Sequence, residues 1–401
     1  MNCRLCGHLT QRFLSLGACP SPNRLLTPDQ VGQEEPTYPM DLTICKNCWV
    51  VQSEATIPPE DIFTVYPYRS STAATTRAHF EGLADALVNY GLGPGSVVVE
   101  IASNDGVLQR PLRDRGIRAV GVEPARNICE LAWRDGLETL NEFFTDETVQ
   151  KLGEGSADAV VACNVFAHIP KLGEVMTAVH KLLKPKGALV IEVEYLLDIM
   201  RLCAYGNFYQ DHLFYWSINA LDTFLREHGF AVFKVETIPT QGGSIRLWAD
   251  KGALRVERPG LTQGLLEEHQ YGLHYPETYQ KFASEVNLSK DRLTELLRGL
   301  RSEGKTIACY GAAAKGVSLI HYCHIKPETV KYIIDDSPLK QGRLTSGSHI
   351  PIVGPETLIT EPVDYLLLLA WNFEREIRAL TNEQAKRGMR YLLPVPEPRV
   401  C

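Results

Sequence analysis

Apolar, β-branched runs recur along the middle of the chain at the spacing of alternating strands and helices. Residues 97–101 (Val-Val-Val-Glu-Ile) fit a parallel strand buried on both faces. Residues 102–106 (Ala-Ser-Asn-Asp-Gly) break that run into a turn, predicting a helix from Asp105 or Gly106 toward Arg115. Residues 118–122 read as the next strand and 126–135 as a helix. Residues 158–166 form a strongly buried strand, and 172–183 an amphipathic helix stopped by Lys184-Pro185-Lys186-Gly187. Strand 188–194 follows, and 231–236 with 244–249 alternate like a closing antiparallel pair. With a helix over 79–90 in front, this is the pattern of a doubly wound sheet.

A second, smaller copy of the pattern lies downstream. After a connector with a helix over 275–301, residues 304–316 repeat the strand, small-residue turn and helix. Strands at 330–336 and 363–371 and a helix over 373–386 complete a Rossmann-like unit. Upstream, residues 38–44 form a strand between two cysteine pairs, and 57–71 are an irregular connection rich in proline and hydroxyls. The expected class is α/β, with domains at 1–70, 71–255 and 256–401.

Charge and apolar patterning narrow the partners. The chain has 401 residues and a formal net charge of −7, against a nucleic-acid or anionic-membrane surface as main partner. No apolar run approaches the ~18 residues needed to span a bilayer, and no apolar leader is read at the N-terminus. The expectation is a cytoplasmic monomer acting on a small molecule. The 11 cysteines are scattered, except for Cys3-x-x-Cys6 and Cys45-x-x-Cys48. Two such knuckles supply four thiolates for a structural zinc ion, whereas a redox pair would sit in a βαβ context that is missing here.

The turn after strand 97–101 is the expected cofactor site. Backbone N–H groups of Ser103, Asn104, Asp105 and Gly106 face outward beside Glu100. Glu123, ending the second strand, can take both hydroxyls of a ribose. The turn lacks the full G-x-G-x-x-G, which suits S-adenosylmethionine (SAM), a nucleoside without pyrophosphate, better than NAD. Asn164 lies where strand 158–166 reaches its ligand side. In Tyr209-Gln210-Asp211-His212, His212 is the natural base for a carbon-bound proton beside a carbonyl. Asp211 could fix its tautomer or hold a substrate hydroxyl, and Tyr209 could meet a developing enolate oxygen; a packed aromatic cap is the alternative. Tyr66 and Tyr68 either contact a ligand or pack a domain seam. Gly311 and Lys315 form either a pyrophosphate turn or a packing turn.

The ordered set of motifs carries a resemblance. The paired cysteine knuckles, Tyr-Pro-Tyr-x-Ser-Ser, Glu-Ile-Ala-Ser-Asn-Asp-Gly, Gly-Val-Glu-Pro, Asn-Val-Phe-Ala-His-Ile, Gly-Gly-Ser-Ile-Arg, Tyr-Gly-Ala-Ala-Ala-Lys-Gly and Asp-Asp-Ser-Pro-Leu-Lys-Gln-Gly-Arg span nearly the whole chain. Together they resemble the sugar C-methyltransferases, SAM-dependent enzymes that methylate carbon 3 of dTDP-4-keto-deoxysugars. The resemblance implies a class I SAM methyltransferase domain flanked by a zinc-binding domain and a C-terminal Rossmann-like domain. It implies zinc on Cys3, Cys6, Cys45 and Cys48, SAM at Ser103 to Gly106 with Glu123 on the ribose, and His168 in the active site. A nucleotide-sugar would lie between the N- and C-terminal domains, with Ser244, Arg246, Gly311 and Lys315 as substrate contacts. The chain departs from the family's Tyr-His-Glu-His at Gln210 and Asp211, and has Gln241 where a histidine is usual. Two other readings stay open: the same architecture acting on a non-sugar carbon acid, and a non-catalytic protein that binds zinc and SAM.

Overall fold

The computed structural model describes residues 1–64, 66, 68–252 and 259–401. Pro67 and the expected boundary between 255 and 256 lie outside the described residues. Among the described residues the strands form three sheets.

The first sheet is antiparallel, built from β1 (Thr10–Cys19), β2 (Tyr38–Cys45) and β3 (Val51–Ser53). The second holds β4 (Val97–Ile101), β5 (Arg118–Val122), β6 (Glu138–Leu140), β7 (Ala157–Cys163) and β8 (Leu183–Glu194). The chain then lends β9 (Phe214–Tyr215) to the first sheet, where Val51 pairs with Tyr215. It returns with β10 (Phe230–Ile238) and β11 (Ser244–Lys251). The order of this seven-stranded sheet is β10-β11-β8-β7-β4-β5-β6, parallel except that β11 runs against both neighbours.

The β-branched runs alternate between two cores, as a strand of period two must when helices cover both faces. Val98, Val161 and Val190 pack with Phe80, Leu83 and Leu87 of the helix Ala74–Tyr90, while Val99, Val160 and Leu189 join the core on the other face.

The third sheet contains β12 (Ile307–Tyr310), β13 (Ile333–Ile334), β14 (Ile352–Val353), β15 (Tyr365–Leu368), β16 (Arg390–Leu393) and β17 (Arg399–Val400). Its order β14-β13-β12-β15-β16-β17 puts the chain reversal beside β12, the ligand crevice of a doubly wound sheet. The 27-residue helix Pro276–Ser302 leads into it. Buried Tyr279, Phe282, Val286, Leu293 and Leu297 recur along it at helical spacing, and Tyr279 meets Phe13 of β1 at 5.2 Å between ring centres.

Three expectations are corrected. The helix after β4 begins at Gln109, because Asn104 (φ +50°) and Gly106 (φ +80°) adopt left-handed backbone that no α-helix contains. Lys184 to Gly187 do not form a separate turn; they extend β8, whose pairing with β7 shifts register there. The helix over 373–386 is split into Glu374–Leu380 and Asn382–Lys386 at Thr381, whose hydroxyl donates back to the Ile377 carbonyl (2.7 Å).

Candidate active site and metal centre

The two cysteine knuckles fold alike. The N–H of Gly7 donates to the Cys3 carbonyl (2.9 Å) and that of Trp49 to the Cys45 carbonyl (2.8 Å), with φ +75° and +58° at the two turn residues. The four Sγ atoms lie within 4.8 Å of one another, with Cys3–Cys48 and Cys6–Cys48 at 3.6 Å and Cys6–Cys45 at 3.5 Å. A tetrahedron of zinc–sulfur bonds has edges of roughly 3.8 Å, so the donor set fits that ion and leaves no position for substrate. Arg4, inside the first knuckle, donates to the carbonyls of Ser53, Glu54 and Ala55 and to Thr56 Oγ1. This anchors the segment that continues into the helix Pro59–Phe63 and Tyr66.

A cavity of about 1420 Å³ opens where the three sheets meet, larger than the usual volume for one small ligand. Glu100, Ser103, Asn104, Glu123 and Asn164 line one end. Ser103 Oγ, Glu100 Oε2 and Asn164 Oδ1 are buried there without a hydrogen-bond partner. Burial, then the charges of Glu123, Asp105 and Glu192, push the Glu100 carboxyl well above its ordinary range. Glu123 is raised to about 7 by burial, opposed by the N–H donors of Ala125 and Asn104 (2.8 and 2.9 Å). Unpaired acceptors among crowded carboxyls fit a cationic nucleoside with free hydroxyls, as SAM is.

Asp105 and Gly106 do not line this cavity. Asp105 accepts from Arg69 Nε (2.8 Å) and from Ser71 Oγ, while Asn104 Oδ1 accepts from the Ser70 N–H (2.8 Å). The turn therefore grips residues 69–71, next to Tyr68 on the cavity wall.

The catalytic candidates sit between the two ends. His212 Nε2 lies 2.6 Å from the Tyr209 hydroxyl, and the His168 ring is 4.7 Å from the His212 ring. Burial first, then the charges of His168 and Lys315, hold the His212 pKa well below the ordinary imidazole value, so the ring is neutral at pH 7. His168 is lowered to about 4 by burial; its Nδ1–H donates to the Asp211 carbonyl (2.7 Å), leaving Nε2 as an acceptor. Phe63 backs His168 at 5.3 Å and Tyr66 backs Phe63 at 5.4 Å.

Asp211 stands apart from the His212 imidazole. Its carboxylate turns away from His212 to accept from Asn23 Nδ2 (2.5 Å) and Ser21 Oγ (3.3 Å) of the N-terminal domain. Gln210 likewise faces Cys19 (Nε2 to Sγ 2.8 Å). Adjacent residues of an irregular segment point in different directions, so closeness in sequence to His212 does not make Asp211 its partner. Sequence reading missed Glu194, whose Oε2 lies 3.9 Å from His212 Nδ1 and accepts from Asn207 Nδ2 (3.1 Å). A carboxylate ending an apolar parallel strand, as at Glu123, is the signal that could have found it.

At the far end, Ala313, Ala314, Lys315 and Lys340 reach the cavity from the third sheet's crevice. Lys315 Nζ donates to Gln241 Oε1 (3.0 Å), and Lys340 Nζ to the Ala312 carbonyl (2.9 Å) and Asp335 (3.2 Å). Three expected substrate contacts stand elsewhere. Gly311 (φ +96°) packs against Ala370, where a Cβ would come within 2.5 Å. Ser244 Oγ donates to the Thr240 carbonyl (2.9 Å), and the buried Arg246 donates to Glu192 (2.5 Å), which also meets His79 at 2.7 Å. Arg246 is thereby spent on neutralising a carboxylate inside the sheet.

A parallel sheet with one reversed strand at this position, a crevice of unpaired acceptors after its first strand and a four-thiolate knuckle beside it define a class I SAM-dependent methyltransferase with a zinc-binding domain. Family models agree: a zinc binding domain matches residues 3–63, a methyltransferase domain 76–235 and a C-methyltransferase C-terminal domain 239–396. The chain is 36% identical to C-methyltransferase NovU of Streptomyces niveus over 403 residues, covering 99% of this chain and 96% of that one. It belongs to this family of SAM-dependent C-methyltransferases. Among solved structures, a SAM-dependent methyltransferase from Archaeoglobus fulgidus aligns with 44% of this chain and 94% of its own (16% identity, TM-score 0.38). Magnesium protoporphyrin IX methyltransferase of Synechocystis PCC 6803 with bound SAM aligns with 44% and 79% (16%, 0.35).

Proposed function

We propose that this C-methyltransferase acts on a carbon next to a ketone, with carbon 3 of a nucleoside-diphosphate 4-keto-deoxysugar as the substrate position. The observation that carries the reading is the neutral, buried His212 hydrogen-bonded to Tyr209 in the wall between the acceptor-rich and the lysine-bearing ends of one cavity. When bound, SAM supplies an electrophilic methyl group on a sulfonium, so the protein's task is to make and orient a carbon nucleophile. The Tyr209–His212 pair takes the proton from the carbon beside the ketone, the Tyr209 oxygen receiving it while its own proton passes to His212 Nε2. His168, with Nε2 as acceptor, suits a sugar hydroxyl. Tyr66, packed between Phe63 and Tyr68, lines the same cavity.

The lysine-bearing end suits the diphosphate. The helix Ala314–Tyr322 begins at the cavity, so its N-terminal N–H groups and the Lys315 and Lys340 ammoniums face the same space. This reading keeps the three-domain division at residues 70 and 255, with the nucleotide on the C-terminal domain. A thermal-shift panel of dTDP-, UDP- and GDP-sugars in the presence of SAM tests it. A nucleotide at 100 times its Kd adds roughly 2.7 kcal/mol, a rise of several degrees. No shift with any member of the panel contradicts the nucleotide-sugar reading.

A further inference from the structure

Both nitrogens of the proposed base can be accounted for. Nε2 of His212 is on the Tyr209 hydroxyl, whereas Nδ1 is buried without a hydrogen-bond partner and looks toward Glu194 Oε2, 3.9 Å away. Glu194 ends β8 with its side chain 11% exposed, and its Oε2 accepts from the Asn207 amide. The titratable groups facing these two side chains are Tyr209, Tyr215, His168 and the Lys315 ammonium, while Tyr66 and Asp211 act on Tyr209. Burial raises the Glu194 pKa, and the charge of Lys315, from the C-terminal domain, and the Asn207 amide oppose that rise in favour of the ionised form. A carboxylate opposite one nitrogen of a neutral imidazole favours the tautomer that carries its proton there.

We propose that Glu194 is a positioning residue for His212: it keeps the proton on Nδ1, so that Nε2 is the basic atom and accepts from the Tyr209 hydroxyl. This deepens the proposed carbon-acid reading and rests on it for its kinetic part. In the proton-transfer step the carbon–hydrogen bond breaks, Tyr209 oxygen takes that proton and hands its own to Nε2. The electron pair stays on the substrate as the enolate. The imidazolium so formed lies between Glu194 and the tyrosine oxygen. Because Lys315 also faces the expected diphosphate, nucleotide binding and the ionisation of Glu194 share one cation.

Nitrogen-15 NMR of histidine-labelled protein without substrate, with His212 assigned by comparison with His212→Asn, reads the tautomer directly. The expected result is Nδ1–H in the native protein and a shift toward Nε2–H in Glu194→Leu. An Nε2–H tautomer in the native protein overturns the proposal without any variant or substrate, and leaves the carbon-acid reading standing. The kinetic arm uses Glu194→Gln, which keeps size and removes charge. Its kcat should fall about a hundredfold at neutral pH, with KM for SAM nearly unchanged and the basic limb of the pH profile displaced. Native kcat and an unmoved profile in a folded, SAM-binding Glu194→Gln also overturn it.

Discussion

The turn after β4 and the turn after β12 start from the same plan, a central parallel strand running into a helix, and part company within three residues. After β4 the chain passes through left-handed backbone at Ala102, Asn104 and Gly106, and the helix waits until Gln109. The loop is wide, carries no lysine or arginine, and sits between Glu100 and Glu123. After β12 only Gly311 is left-handed, the helix starts at Ala314, and Lys315 and Lys340 stand at its mouth. One turn is made of acceptors and acids; the other brings two ammonium groups, of which Lys340 is paired with Asp335. On the proposed reading the same topology takes a cationic nucleoside at one end of the cavity and an anion at the other, and side-chain charge decides which.

The largest effect on this contrast is expected at Gly121 of β5. A Cβ there would collide with Ser103 Oγ and come within 2.7 Å of Gln109 Oε1, so the wide turn keeps its shape only over a glycine. Gly121→Ala should weaken SAM binding at least about tenfold, with overpacking of about 1–3 kcal/mol in stability, while nucleotide binding at the far turn is unchanged. Calorimetric titration with each ligand reads both. Unchanged SAM affinity would break the link between the turn's width and its ligand.

A smaller effect follows from Glu123. Burial raises its pKa from 4.5 to about 7 in the folded protein, so the fold binds this proton more tightly than the unfolded chain does. The stabilisation is complete below about pH 4.5 and is lost as pH rises through about 7. A ribose needs the carboxylate as acceptor, so SAM affinity should climb a few-fold between pH 6 and 8, and Glu123→Gln should flatten that dependence. A pH-independent SAM affinity in the native protein would place the ribose elsewhere.

The acidic turn was legible because its chemistry is local: an apolar run, a polar turn and a carboxylate ending the next strand lie within 27 residues, 97–123. The doubly wound class of the second sheet and its closing antiparallel pair follow from the same alternation. What the sequence hides depends on partners far along the chain. Asp211 pairs with Asn23, 188 positions away, and Arg246 with Glu192, 54 away, so neither looks different in sequence from a side chain free for substrate. Glu194 was read only as the end of a strand, since nothing nearby marks His212 as its neighbour. The late start of the helix at Gln109 escapes because the left-handed backbone at Ala102 and Asn104, which are not glycines, is set by the surrounding packing, and β6 escapes because three residues are too few to show a period.

The central claim is that a carbon acid is deprotonated in this cavity by the His212–Tyr209 pair. The most direct measurement is incubation with a dTDP-4-keto-deoxysugar in deuterium oxide, with S-adenosylhomocysteine in place of SAM, following deuterium at the carbon beside the ketone. The native protein should exchange that position. His212→Asn, shown by titration still to bind SAM, should exchange it at least about a hundredfold more slowly and give no methylated product when SAM is supplied. Near-native exchange or turnover in His212→Asn would contradict the account.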